Sequence, residues 1–243
     1  MVKVPRSVLV AVDFGDASAR AIAIGGMIAA RCKAASFRLL HAESMEAPVY
    51  FTSEQIKGLE RESHTLQSQA EQFLAEFGRK QTNQPFTTEV AMRAPVDAIL
   101  HASTESDLVV MGTHGRHGPK RWWLGSVAER ILRETTRPLL IARAGMTDPV
   151  ASLFDRAVVH AAAPLVGASA LQYARDLAGC FAAQVIDRRH DLIEPSIEET
   201  RATILIVAVP EPRTSVWLSN FGEPLVRFCP VPLLFVPDIA EGA

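Results

Sequence analysis

Three kinds of signal are scarce in this chain of 243 residues. Cysteine is the first: Cys32, Cys180 and Cys229 are its only thiols, none in a CxxC spacing, which argues against a disulfide framework or a zinc knuckle. Charge of one sign is the second. The formal net charge of −2 supplies no concentrated basic face, and binding that neutralises several phosphates of a nucleic acid needs one. Any anion site must therefore be local, and no nucleic-acid partner is expected. Long apolar runs are the third: the start, MVKVPRSVLVAVDF, is interrupted by charge and ends near Asp13, which fits neither an export signal nor a membrane span. The expectation is a cytoplasmic protein with no membrane partner.

What is present is ordinary material for a core, 48% hydrophobic and 21% charged residues. Ser7 to Val12 is a β-branched apolar run, and Ala17 to Lys33 reads as a helix. Phe37 to Leu40 is a second strand. Thr52 to Gly78 reads as a long helix with a Thr52/Gln55 capping-box spacing and with Ile56, Leu59, Leu66, Phe73 and Phe77 on its apolar side. Gly78 is its expected stop. Phe86 to Met92 is a half-buried strand, Pro95 opens a helix through Ser103, and Leu108 to Met111 is a fourth strand. A helix from Val127 to Thr135 and a strand from Pro138 to Arg143 complete the series. Strands that alternate with helices in this way predict an α/β fold with a parallel sheet covered on both faces.

The pattern then restarts. Around 144–152 the text AGMTDPVAS reads as a linker. WLGSVAERILRETTRPLLIA from Trp123 aligns without a gap to WLSNFGEPLVRFCPVPLLFV from Trp217. DLVVMG at Asp107 aligns with TILIVA at Thr203 at an offset two residues larger, which implies a shortened loop in the second copy. The chain is thus expected to hold two units, 1–145 and 153–243, the second truncated by loss of the long helix and third strand. A unit of roughly 90 residues buries a smaller share of its surface than one of roughly 145, so the second copy should lean on the first.

The stretch MGTHGRHGPKRWWLGS, Met111 to Ser126, sits between a strand and a helix, where an open α/β sheet places its ligand crevice. Gly112, Gly115, Gly118 and Gly125 permit tight turns or close approach to a ligand. Gly125 and Ser126 stand at a helix mouth suited to a phosphate, and Arg116, Lys120 and Arg121 add charge. Ser126 has a second reading, because Ser126/Glu129 and, in the second copy, Asn220/Glu223 have capping-box spacing. The second copy replaces Gly112, Gly115 and Gly125 by Ala208, Glu211 and Ser219, so the glycines are expected to serve something beyond the fold. Asp13 can either bond loop N–H groups or meet a ligand. Its counterpart is Pro164. His114 and His117 lack a third metal ligand and read as exposed loop residues. The match of Trp123 to Trp217 points to packing for both.

Gly112-x-x-Gly115, nine residues, then Gly125-Ser126 resembles the nucleotide-binding motif of the universal stress protein family. AVDFGDAS, LLHAES, MGTHGR and GSVAERILRETTRPLLIAR follow in family order, over the first 145 residues well and the remainder as a degenerate copy. The resemblance implies two Rossmann-like open parallel-sheet domains and an adenine nucleotide, usually ATP, with or without Mg2+. Carried over, Asp13 and Ala42 would meet the adenosine, and Met111 and Gly112 the ribose region. Gly115, Gly125, Ser126 and Val127 would meet the phosphates, with Arg116 as an added charge. It further implies a stress-response or signalling role and pairing of the two copies' last strands within one chain, with a homodimer left open. No GKS or GKT, GxGxxG after the first strand, or GxSxG is present. Without an assembled base, nucleophile and metal set, slow ATP hydrolysis is the most chemistry expected. A nucleotide-independent scaffold is the alternative.

Overall fold

The computed structural model describes residues 4–44, 53–113, 125–142, 149–161, 168–189, 191–210 and 217–237, with side chains from residue 65 onward in the second of these segments. The chain alternates β1 (Ser7–Ala11), α1 (Asp16–Arg31), β2 (Ser36–Ala42), α2 (Ser53–Arg79), β3 (Thr87–Ala91), α3 (Pro95–Ser103), β4 (Leu108–Gly112), α4 (Ser126–Glu134) and β5 (Leu139–Ala142). After a 3-10 turn at Val150–Ser152 come β6 (Arg156–Ala161), α5 (Ala168–Phe181), β7 (Gln184–Asp187), α6 (Ile193–Thr200) and β8 (Ile204–Val209). A π turn, Leu218–Gly222, then runs into α7 (Glu223–Phe228), and β9 (Leu233–Pro237) follows.

The nine strands among the described residues join one sheet in the order β3-β2-β1-β4-β5-β9-β8-β6-β7. Each half is parallel within itself, and the halves meet through the antiparallel pair β5–β9, with Leu140 opposite Leu234. The first five strands have the 3-2-1-4-5 order of a doubly wound sheet. The second half repeats it with β7-β6-β8-β9, without counterparts of α2 and β3.

The pleat divides the core between the two faces. Val8 and Val10 of β1 join Ile24, Ile28, Leu74, Leu177 and Ile206 on one side, while Leu9 and Ala11 join Ile99, Ile131, Ile197 and Leu225 on the other. Both clusters run through both halves. Because both faces are covered, the central strands read as unbroken apolar runs, and β5, β8 and β9 are buried along their whole length.

Three expectations about helices need correction. Among the described side chains of α2, Leu74 is the buried hydrophobic one, with Phe77 half-buried beside it, while Leu66 and Phe73 are 50% and 48% exposed. Phe73 belongs to the margin of the apolar face, where its ring meets Phe14 at 4.8 Å. Ile56, Leu59 and Thr52 lie outside the described residues or side chains. Gly78 lies inside the last turn of α2 rather than after it, and its carbonyl accepts from the N–H groups of Gln81 and Thr82. Neither described capping box forms. Gly125 occupies the cap position of α4 with φ −64° and ψ 151°, Ser126 is already the first helical residue, and no side chain caps the helix. Asn220 is interior to the π turn, which begins before it.

Candidate functional site

A cavity of about 290 Å³ opens at the carboxyl ends of β1 and β4, where the strand order reverses direction. Six elements wall it, with Ser18 contributed by α1. Ala11, Val12 and Asp13 come from the end of β1, Leu40, His41 and Ala42 from the end of β2, and Met111, Gly112 and Thr113 from the end of β4. Gly125, Ser126, Val127 and Ala128 come from the start of α4, and Pro95 and Ile99 of α3 close the far side. The wall is mainly apolar, with polar groups at the strand ends and at the helix mouth.

Seven residues singled out from the sequence meet here: Asp13, Ala42, Met111, Gly112, Gly125, Ser126 and Val127. Gly115 and Arg116 lie outside the described residues, as do His114, His117, Gly118, Lys120, Arg121, Trp122 and Trp123. Ser18, His41, Thr113, Pro95 and Ile99 are lining residues that the sequence reading did not select. Ser18 had a local signal in the text DFGDAS, where it follows Asp13 by five positions.

Asp13 performs the loop role in full. Its Oδ1 accepts from the Gly15 N–H at 3.0 Å and from the Ser18 hydroxyl, and the Ser18 oxygen accepts the Asp13 N–H at 3.0 Å. The printed bonds all fall on Oδ1, so one carboxylate oxygen shapes the turn, and Asp13 itself lines the cavity. The chain then passes through Phe14 at φ 61°, a left-handed conformation uncommon for a bulky residue. That turn carries the Phe14 ring onto His41, Phe73 and Phe77, with centroids at 4.5, 4.8 and 5.5 Å. His41 in turn donates from Nδ1 to the Val12 carbonyl at 2.8 Å, which locks the imidazole against the cavity floor.

Gly112 corrects an expectation. A Cβ there would stand 2.6 Å from the Ala17 Cβ, 2.9 Å from its carbonyl carbon and 3.0 Å from the Ser18 nitrogen. The missing side chain is therefore what lets β4 lie so close to α1, which gives Gly112 a packing role beside its place in the cavity wall. Gly125 differs, since an added Cβ would meet only the Thr113 carbonyl oxygen, at 3.6 Å. The first helical bond of α4 runs from the Glu129 N–H to the Gly125 carbonyl at 2.9 Å. The N–H groups of Ser126, Val127 and Ala128 precede it and have no intrahelical acceptor. They meet the cavity at the positive end of a nine-residue helix.

Trp217, the counterpart of Trp123, packs on Phe221 at 5.8 Å and on Phe235 at 6.4 Å, as the packing reading expects. Among the described residues no cluster of three or more His, Cys, Asp or Glu could hold a metal ion, and no helix is long and apolar enough to cross a membrane.

Comparison with known proteins agrees with this architecture. A universal stress protein from Mycobacterium tuberculosis is 34% identical over 85 residues, which are 33% of this chain and 29% of that protein. One from Methanocaldococcus jannaschii is 38% identical over 58 residues, 23% of this chain and 34% of its own length. The matched segments thus span only about a third of these relatives. A solved universal stress protein from Archaeoglobus fulgidus superimposes with a TM-score of 0.69 at 18% identity, covering 99% of this chain and 98% of the other. A putative one from Pseudomonas aeruginosa gives 0.61 at 14% identity, covering 96% and 93%. The family model described as the universal stress protein family matches residues 5–143, more than half of the chain. With that match laid over the β1-to-β5 half that builds the cavity, the chain belongs to the universal stress protein family.

Proposed function

We propose that the cavity between β1, β4 and α4 binds an adenine nucleotide, ATP in the first instance, and that the unit 1–145 carries this function while 153–243 is a structural repeat. The observation that carries the reading is convergence: residues far apart in the sequence, Asp13, Ala42, Met111 and Gly125 to Val127, line one crevice at the reversal of strand order. The residues present suit the parts of such a ligand. Val12, Leu40, Ile99 and Met111 offer an apolar slot for a flat base, and the second oxygen of Asp13 offers an acceptor for a ribose hydroxyl or an exocyclic amine. The open N–H groups of Ser126, Val127 and Ala128 offer donors for a phosphate, each charge-assisted bond contributing on the order of 1.5 to 3 kcal/mol. Arg116, Lys120 and Arg121 would add charge from the adjoining loop, and Mg2+ would accompany the phosphates.

In this reading the protein is a stress-response or signalling protein that senses or stores the nucleotide, with turnover no faster than slow ATP hydrolysis. The two repeats pair within the chain, and any homodimer forms from surfaces outside β5 and β9. Ligand at a hundred times its dissociation constant stabilises by about 2.7 kcal/mol. Millimolar MgATP should therefore raise the melting temperature by several degrees in a thermal scan, and mass spectrometry of ligand released from purified protein should find an adenine nucleotide. Gly115→Glu, which copies the second repeat, should remove the shift and leave the unliganded melting temperature in place. No shift with any adenine nucleotide would rule the reading out in favour of a nucleotide-independent scaffold.

A further inference from the structure

A cavity of about 340 Å³ lies at the junction of the two halves. Cavities that take small ligands begin at about this size. Arg156, Thr203 and Pro232 line it at the amino ends of β6, β8 and β9, and Ser152, Arg201 and Arg20 of α1 complete its polar wall. The antiparallel pair β5–β9 sets Ile141, near the carboxyl end of β5, opposite Leu233, the first residue of β9. The amino ends of the second half's strands therefore share a rim with the carboxyl ends of the first half's strands. On that rim α1 walls both cavities, through Ser18 in one and Arg20 in the other.

The lining sets three arginines, Arg20, Arg156 and Arg201, against one carboxylate, that of the exposed Asp155. The described lining thus carries a net positive charge, which attracts anions. Arg156 donates from Nε to the Arg201 carbonyl at 2.7 Å, which ties the first residue of β6 to the end of α6. Among the described residues neither the Arg156 nor the Arg201 guanidinium forms an ion pair with a carboxylate. Arg201 ends α6 at φ 51° and ψ 50°, a left-handed position that glycine fills with less strain.

The matching corner of the first half is closed in the same way with the opposite charge. There the Asp107 N–H donates to the Ser7 carbonyl at 3.0 Å, and here the Thr203 N–H donates to the Arg156 carbonyl at 2.9 Å. The Asp107 carboxylate accepts the N–H groups of Arg6 and Ser7 at 2.9 and 3.0 Å, whereas the Thr203 hydroxyl accepts the Arg156 N–H at 2.9 Å. In this register Arg6 and Ser7 give way to Asp155 and Arg156, and Glu105 and Asp107 to Arg201 and Thr203. Two carboxylates and one arginine are exchanged for two arginines and one carboxylate, while the bonds that close the corner persist. Closure of the fold therefore leaves the arginines unaccounted for.

We infer that this junction cavity binds a small phosphate-bearing anion, held by the guanidinium groups of Arg156 and Arg201, with Arg20 adding charge from the first half. A guanidinium presents paired N–H donors that match phosphate oxygens, and several such groups around one cavity favour an anion with oxygens on more than one side. Asp155 opposes any anion, which favours a multivalent phosphate over a single carboxylate. Bound there, the anion bridges α1 of the first half and the β6 end of the second.

Inorganic pyrophosphate is the probe, titrated into the intact protein and followed by heteronuclear NMR. Saturable shifts are expected at Ser152, Arg156, Arg201 and Thr203, with acetate binding there at least about tenfold more weakly. Replacing both arginines, Arg156→Gln with Arg201→Gln, should weaken pyrophosphate binding at least about tenfold, because each lost bond is charge-assisted. No saturable shift at these four residues in the unaltered protein, or equal affinity for acetate, would overturn the proposal whether or not the variant folds. So would undiminished affinity in the double variant, or shifts confined to Ser126, Val127 and Ala128, which would place pyrophosphate in the first cavity alone. The thermal shift with MgATP is a separate measurement, so this proposal and the nucleotide reading fail independently.

Discussion

An alanine at Gly112 would drive its methyl into Ala17, whereas a side chain at Gly125 has room up to the Thr113 carbonyl at 3.6 Å. The two glycines look equivalent in the sequence, and both are replaced in the second copy, by Ala208 and Ser219. Their physical roles separate only when α1 is seen against β4. Gly112→Ala should cost about 1 to 3 kcal/mol in urea unfolding, the usual range for overpacking a filled interior. Gly125→Ser should leave stability within about 0.5 kcal/mol of the parent or raise it slightly, since serine is at least as good a helix cap as glycine. If a phosphate occupies the space beside Gly125, the same serine should weaken ATP binding at least about tenfold, a loss of about 1.4 kcal/mol by calorimetry. Unchanged affinity in Gly125→Ser would show that no ligand atom needs that space.

At the scale of elements, the sequence was most informative where burial is continuous. Strands β1, β4, β5 and β8 are apolar runs because both faces of the sheet are covered, and the repeat made β9 readable from β5. Helix ends were less readable. Ser126/Glu129 and Asn220/Glu223 have a capping spacing, but spacing does not say where the first helical turn begins. Backbone geometry starts α4 at Ser126 itself and starts the second-copy helix before Asn220. The junction cavity was invisible, because it gathers Arg20, Arg156 and Arg201 from α1, β6 and the end of α6. Invisible too was the meeting of α1 with α5, which brings Cys32 and Cys180 together near Tyr173. Burial chiefly, and then the contact with Cys180, pushes the Cys32 thiol well above its usual range. Burial also pushes the Tyr173 hydroxyl up, with smaller contributions from Cys32, Asp107 and Cys180. Groups whose pKa is raised on folding contribute full stability below their unfolded values, about 8.5 for Cys and about 10 for Tyr, and lose it as pH rises beyond them. The urea midpoint should therefore fall between about pH 8.5 and pH 11. Cys32→Ser combined with Tyr173→Phe should flatten that fall. Tyr173→Phe alone should be neutral or mildly stabilising at pH 7, because the buried hydroxyl it removes has no hydrogen-bond partner. An unchanged alkaline slope in the double variant would assign the loss to other groups.

At the scale of the whole molecule, the issue is whether the two repeats unfold as one body. Two beads on a linker would give two transitions, with ATP moving only the first. The structure argues otherwise, since β5 and β9 join the halves into one sheet and both core clusters run through both halves. Leu139, Leu140, Ile141 and Ala142 have no exposed surface, and separating β9 would open this buried edge to water or to another chain. The shorter repeat, with fewer strands to cover, gains most from the junction. The tryptophans permit a direct check. Trp217 stands in the second half against Phe221 and Phe235, while Trp122 and Trp123 belong to the first. In a Trp217→Phe variant and in a variant with Trp122 and Trp123 both replaced by Phe, fluorescence should report urea midpoints that coincide once each variant's own shift in circular dichroism is subtracted. If the cavity between β1, β4 and α4 holds ATP, saturating MgATP should then raise the midpoint seen by Trp217, although that residue does not line this cavity. Separate midpoints, or an ATP response confined to Trp122 and Trp123, would mean that the β5–β9 junction opens before either half unfolds.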